Sequence, residues 1–271
     1  MSTTAILEQI KQALKLTRDV ELTRLTSGTI NHVYRISNLS EGREWGKAFT
    51  DVVVKWFGED KFSGVDRCHQ FNLQQQLCER GIATKPLWLS DDECVWVEQW
   101  QPSKQVNSVT PSDLASVLAQ IHRLTITTRP LNLAKRWQHY AEVCGLSPSD
   151  ALYTQVQSLR KAVTDSEREV KDSVLCHNDL LAGHVLFQED DKPVVIDWEY
   201  AAMGNRYFDL ASCCLINQFD EKASAQLIET YCAIMGIALD EAKEKFSQHV
   251  NIVSTTNALW LEALAVSKLT S

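Results

Sequence analysis

The rhythm of apolar and polar positions changes near residue 100. Before it, short apolar runs alternate with turn formers. Residues 20–25, 32–37 and 52–57 read as strands, and the polar stretch 38–49, with Gly42 and Gly46, as a hairpin loop. Residues 67–80 form a helix pattern stopped by Gly81, a residue suited to the position just past a helix end. Residues 87–89 and 94–100 read as two further strands around the turn Ser90-Asp91-Asp92. At the start, Ile6, Leu7, Ile10 and Leu14 fall at helical spacing. These are the ingredients of a five-stranded, mostly antiparallel sheet with one main helix.

After residues 101–104, which read as a linker, the period becomes helical. Thr110-Pro111-Ser112-Asp113 predicts a helix start, with Thr as N-cap, Pro at the first helical position and an acid three residues after the cap. Leu114, Val117, Leu118, Ile121 and Leu124 then line one face. Further helices are expected near 133–143, 153–163, 223–235 and 240–266, and residues 174–198 form a strand-rich island among them. The fold class is α+β. It comprises a sheet-rich N-terminal lobe over residues 1–100 and a larger, mostly helical C-terminal lobe over 101–271, and a crevice between lobes is a common place for a ligand.

Composition narrows the choice of partners. A formal net charge of -8 leaves no basic footprint for nucleic acid. No run of eighteen apolar residues occurs, so no membrane span is expected. The first sixteen residues lack the basic start and apolar run of a signal peptide. Eight cysteines without a C-x-x-C pair or zinc spacing read as reduced thiols, which suits the cytoplasm. With no G-x-S-x-G elbow and no H-E-x-x-H, hydrolase chemistry has no foothold. The sequence does not specify an oligomeric state.

Two acids adjoin strand-like runs. Asp179 lies in Val174-Leu-Cys-His177-Asn178-Asp179-Leu-Leu-Ala-Gly183-His184, and Asp197 ends Val194-Val195-Ile196. Phosphoryl transfer needs such a pair, one carboxylate to position and deprotonate the attacking hydroxyl and another to hold the Mg2+ that bridges the phosphates. The paired segments His177-Asn178-Asp179 and Ile196-Asp197-Trp198-Glu199-Tyr200 resemble the catalytic and metal loops of the aminoglycoside phosphotransferase and choline kinase family, of protein-kinase-like fold. The second segment is most similar to the choline, ethanolamine and thiamine kinase branch. The resemblance runs from about Leu25 into the C-terminal helices. It implies ATP and Mg2+ as cofactors, Asp179 as catalytic base, Asp197 as metal ligand, His177 as a loop brace and Asp209 as an architectural acid. The family's second metal ligand, an Asn, falls at His184, whose nitrogen suits Mg2+ less well than an amide oxygen.

The same resemblance extends upstream. Ser27-Gly28 sits where the family carries its phosphate-approaching glycine loop, although a plain hairpin turn has the same pattern. Lys55 stands in Val52-Val-Val-Lys55, matching the third-strand lysine, and a lysine within an apolar strand needs a partner. The usual helix acid is missing, and Gln70 is expected in its place. Glu98 and Trp100 fall at the hinge, where backbone groups would meet adenine, or equally in an ordinary edge strand. For the acceptor, Glu199, Trp260 and Trp137 supply a carboxylate and aromatic faces suited to an organic cation, although helix-face aromatics commonly belong to the core. The expectation is a small-molecule kinase acting on a choline, ethanolamine or thiamine type of alcohol. An aminoglycoside or other small-alcohol phosphotransferase and a nucleotide-binding pseudokinase are the alternatives.

Overall fold

A computed structural model of the chain describes residues 3–15, 22–27, 32–37, 51–57, 62–104 and 108–270. Gly28 and the expected hairpin loop at 38–49 lie outside the described residues. The chain divides into two compact units, Met1–Ser103 and Lys104–Ser271.

The first unit is built on a five-stranded sheet in the order β1-β2-β3-β5-β4, with every pairing antiparallel. Its strands are β1 (Leu22–Ser27), β2 (His32–Ile36), β3 (Val52–Trp56), β4 (Pro86–Leu89) and β5 (Val95–Gln99). Successive strand side chains point to opposite faces. One face gathers Tyr34, Ile36, Val52, Val54, Trp56, Val95 and Val97 against Ile6, Ile10 and Leu14 of helix α1 (Thr3–Leu14). The Trp56 indole N–H fastens that helix by donating to Gln9 Oε1 at 3.0 Å. The opposite face carries Val53, Lys55, Trp96 and Glu98, beside helix α2 (Arg67–Glu79). Asp66 caps α2 by accepting from the His69 N–H at 2.8 Å. Gly81, at φ +73°, follows its end as the sequence predicts.

The second unit contains helices α3 (Pro111–His122), α4 (Leu133–Val143), α5 (Ala151–Arg168), α6 (Arg206–Ile216), α7 (Glu221–Met235) and α8 (Leu239–Thr270). The predicted capping box at Thr110 is present, with both of its hydrogen bonds to Asp113 formed. Two small antiparallel ribbons interrupt the helices. One pairs β6 (Ser173–Cys176) with β9 (Ala202–Asn205), the other β7 (Val185–Phe187) with β8 (Pro193–Val195). Helix α6 is absent from the helices expected on periodicity. Its side chains from Tyr207 to Cys214 are all buried, so no polar stripe marks it in the sequence. The long α8 packs along α4, α5 and α6. All eight cysteines are free thiols. Among the described residues, no helix is long and apolar enough to cross a membrane.

Candidate active site

The second unit brings the two acids together. Donor atoms of Asp179, His184 and Asp197 all lie within 4.8 Å of one another. The turns that deliver them adopt unusual backbone. Asn178 and Asp197 are left-handed, at φ 66° and 67°, a conformation that short polar side chains tolerate best. The Asn178 amide donates to the Tyr200 carbonyl at 2.8 Å, joining the loop of one acid to the turn of the other.

His177 ties the same two segments through both ring nitrogens. Its Nε2 lies 3.1 Å from the Ile196 carbonyl, which can only accept, so Nε2 carries the proton. Nδ1 then accepts from the Asp179 N–H at 3.3 Å. Burial, with His184 nearby, lowers the His177 pKa to about 4, which keeps the ring neutral and this hydrogen-bond pattern fixed. The bracing role expected of it agrees with these contacts.

Beneath the loop lies Asp209, fully buried on α6. Its carboxylate accepts from the His177 and Asn178 N–H groups, each at 2.8 Å, and meets His122 Nε2 at 3.1 Å. Burial raises its pKa, but the His122 hydrogen bond and the surrounding donors outweigh this and hold it below the usual carboxylate value. His122 is anchored in turn by Tyr231 Oη at 2.7 Å from Nδ1. Two more residues of this region hold the loop. Ser212 donates to the Asn178 carbonyl at 2.9 Å, and Asn217 donates to Leu180 O at 2.9 Å while accepting from Ala182 N at 2.8 Å. Sequence reasoning missed Ser212 and Asn217. No motif marks them, and only the burial of α6 places them under the loop.

Asp179 has the opposite electrostatics to Asp209. Burial pushes its pKa well above the ordinary carboxylate value, and the charges of Asp197, Glu199 and Asp209 push the same way. Such a group is a positioned acid or base whose ionisation responds to a cation brought beside it. Two carboxylates suit a hard divalent ion such as Mg2+, and His184 adds a nitrogen. The residues present therefore fit a divalent cation, with one donor atypical for magnesium.

In the first unit, Lys55 does have an acid, though not from the helix. Its Nζ lies 3.3 Å from Glu98 Oε1, with both side chains buried. Gln74 Nε2, Trp96 Nε1 and Thr84 Oγ1 donate to Glu98 Oε2 at 2.8, 3.1 and 3.2 Å. This corrects the expectation that Gln70 stands in for the acid. Gln70 instead accepts from Arg67 Nη1 at 3.0 Å. Glu98 and Lys55 share a sheet face through the registers Lys55↔Trp96 and Val53↔Glu98, so the alternation of β5 contained the signal. The Glu98 side chain, not only the hinge backbone, thus carries chemistry. At the hinge, the Gln99 N–H donates to Lys85 O at 2.9 Å and the Trp100 N–H to Asp51 O at 3.3 Å. The Trp100 ring receives the Arg35 guanidinium 4.2 Å above it. Ser27 ends β1 opposite His32.

The expected acceptor residues separate. Trp260 donates its indole N–H to Tyr200 Oη at 3.0 Å, so it joins the turn that carries Asp197 and Glu199. Trp137 is 2% exposed and donates to Thr256 Oγ1 at 2.8 Å. It is buried in the packing of α4 on α8. An aromatic on a helix face is core unless the structure opens it to solvent.

The sequence model of the phosphotransferase enzyme family matches residues 21–244. A probable ethanolamine kinase A of Dictyostelium discoideum is 23% identical over 221 residues, covering 76% of this chain. The chain spans only 61% of that relative's length. Among solved structures, the choline kinase LicA from Streptococcus pneumoniae superposes with a TM-score of 0.71 at 18% identity, covering 95% of this chain and 90% of the other. A structure of LicA in complex with AMP gives a TM-score of 0.69 at 18% identity, covering 98% and 91%. These structural likenesses show the fold, which is protein-kinase-like.

Proposed function

Because the chain belongs to the phosphotransferase enzyme family, we propose that it transfers the γ-phosphate of ATP to the hydroxyl of a small cationic metabolite of the choline, ethanolamine or thiamine kind. The observation that carries this reading is the convergence of Asp179 and Asp197 with His184 within 4.8 Å. Mg2+ bound with the nucleotide would supply charge neutralisation along the phosphates. Asp197 and His184 are the side chains that would hold it. Asp179 orients the acceptor hydroxyl and takes its proton, and its raised pKa suits a base that must hold a proton. Lys55, fixed by Glu98, offers an ammonium suited to phosphate oxygens. The sheet engages the N–H groups of Gln99 and Trp100.

A cationic acceptor is favoured by the acid surplus around Asp179, to which Glu199 contributes, and by Trp260, which bonds the turn carrying Glu199. The names of the ethanolamine and choline kinases to which the chain is similar point the same way. Eight free thiols are in keeping with a reducing, cytoplasmic setting.

The test is ADP release with Mg-ATP, measured in parallel against choline, ethanolamine, thiamine, homoserine and aminoglycosides. Turnover highest with one of the first three is expected. Turnover highest with an aminoglycoside would overturn the cationic-metabolite reading. Binding of ATP with no ADP release from any acceptor would show a nucleotide-binding protein without kinase activity.

A further inference from the structure

We propose that His184 makes the acidic centre a mixed nitrogen–oxygen metal site, which takes a divalent first-row transition ion in preference to Mg2+. The inference rests on the reading that Asp179 and Asp197 serve a nucleotide-borne cation, and it names which cation.

His184 is held from both sides of the centre. Its backbone N–H donates to Leu181 O at 2.9 Å, and its carbonyl accepts from the Ile196 N–H at 3.0 Å. The residue is therefore tied to the Asp179 loop and to the strand end that leads to Asp197. Its ring is oriented as firmly. Nδ1 lies 2.9 Å from the Asp179 carbonyl oxygen. A carbonyl only accepts, so Nδ1 carries a proton, and the tautomer that binds a metal presents its lone pair at Nε2. That nitrogen faces Asp197 Oδ2 at 3.6 Å, too far for a direct hydrogen bond. The spacing suits two donors each about 2.1 Å from one ion. A ring N–H given to a backbone carbonyl, with the other nitrogen aimed at carboxylates, is also how metal-bound histidines are commonly oriented.

The neighbouring histidine cannot take this part. His177 has Nε2 engaged by Ile196 O and Nδ1 by the Asp179 N–H. His184 is thus the one imidazole of the pair with a nitrogen directed at the acids. Mg2+ prefers an all-oxygen octahedron, whereas imidazole nitrogen favours the transition ions, with affinity rising from Mn2+ toward Cu2+.

The test uses the full chain with Mn2+ and an ATP analogue carrying a methylene between the β and γ phosphates. Pulsed electron paramagnetic resonance reads whether a histidine nitrogen couples to the manganese. A 14N coupling that changes to 15N on labelling the protein with 15N-histidine is expected, and it needs no substitution. In His184→Asn the coupling should vanish. The ratio of Mn2+ to Mg2+ affinity, from competitive titration, should fall by at least about tenfold, since loss of even an outer partner of a metal ligand costs roughly 10–100-fold. Absence of histidine coupling in the unsubstituted protein, or an unchanged affinity ratio in a folded His184→Asn protein, would overturn the inference. Choline or ethanolamine turnover accompanied by no histidine coupling sinks the metal assignment and leaves the kinase reading standing. Coupling accompanied by no turnover with any acceptor does the reverse.

Discussion

The two units each bury carboxylates, and they treat them differently. In the first, Glu98 meets Lys55 and three neutral donors, so charge and hydrogen bonds are balanced inside the unit. In the second, Asp209 is similarly satisfied, but Asp179 lies among Asp197, Glu199 and Asp209 and is pushed toward its protonated form. A balanced buried ion holds geometry, whereas a half-buried carboxylate among like charges is costly to ionise and suits a reaction. The contrast separates the residues that frame the site from the residue proposed to react.

The largest way to break the contrast is Asp179→Asn. It should lower ADP release by roughly 10²–10⁴-fold, the usual share of general acid–base catalysis. By removing a strained carboxylate it should also raise the metal-free melting temperature, by about 2–4 °C for roughly 1 kcal/mol in a chain of this size. A melting temperature that falls would mean that Asp179 is structural. Next comes Glu98→Ala, which removes the buried acid facing Lys55 and the acceptor of three buried donors and should cost about 3–5 kcal/mol in urea unfolding. The double variant Lys55→Met with Glu98→Leu should recover only the part owed to the buried ammonium, since Gln74, Trp96 and Thr84 still lose their acceptor, and should lack kinase activity. Recovery of activity would remove Lys55 from the phosphate role.

A pH series sharpens the comparison further. Folding lowers the His177 pKa from an ordinary 6.5 to about 4. Between those values the unfolded chain binds the extra proton, so stability is full above about pH 6.5 and declines as pH falls toward 4, by on the order of 3 kcal/mol. The depressed Asp209 adds to the loss further down, below the ordinary carboxylate value. The raised Asp179 works in the opposite sense, its stabilising contribution fading as pH rises through the ordinary carboxylate range and beyond. Denaturant midpoints of the unsubstituted and His177→Asn proteins from pH 4 to 8 should therefore converge at low pH, and parallel curves would discount His177. The smallest effect is expected from Asn217→Ala, about 1–2 kcal/mol for the lost loop hydrogen bonds. It should be accompanied by reduced turnover with nucleotide affinity little changed.

Elements with an exposed and a buried side were legible in the sequence, because their pattern has a period. The apolar face of α3, the Thr110 capping box and the Gly81 stop are of this kind. Helix α6 was not, since burial on all sides erases the stripe. The acids were legible for a chemical reason: a pair of aspartates beside apolar runs, within the loops that resemble the family's, narrows the candidates sharply. The ion pair of Glu98 was not expected because a hinge suggests backbone recognition, although the alternation of β5 already places its side chain on the Lys55 face. Trp137 and Trp260 share a residue type and a helical setting. One bonds Thr256 on α8 and the other bonds the Asp197 turn, a difference decided by long-range packing.

Helix α6 holds the reactive loop at three heights, through Asp209, Ser212 and the terminal Asn217. Inserting or deleting a single residue between Ser212 and Asn217 would turn everything beyond it by about 100°. Asp209 would still grip the start of the loop while Asn217 swung away from Leu180 and Ala182. Length changes in this short stretch should thus be far less tolerated than changes of side chain at its other positions.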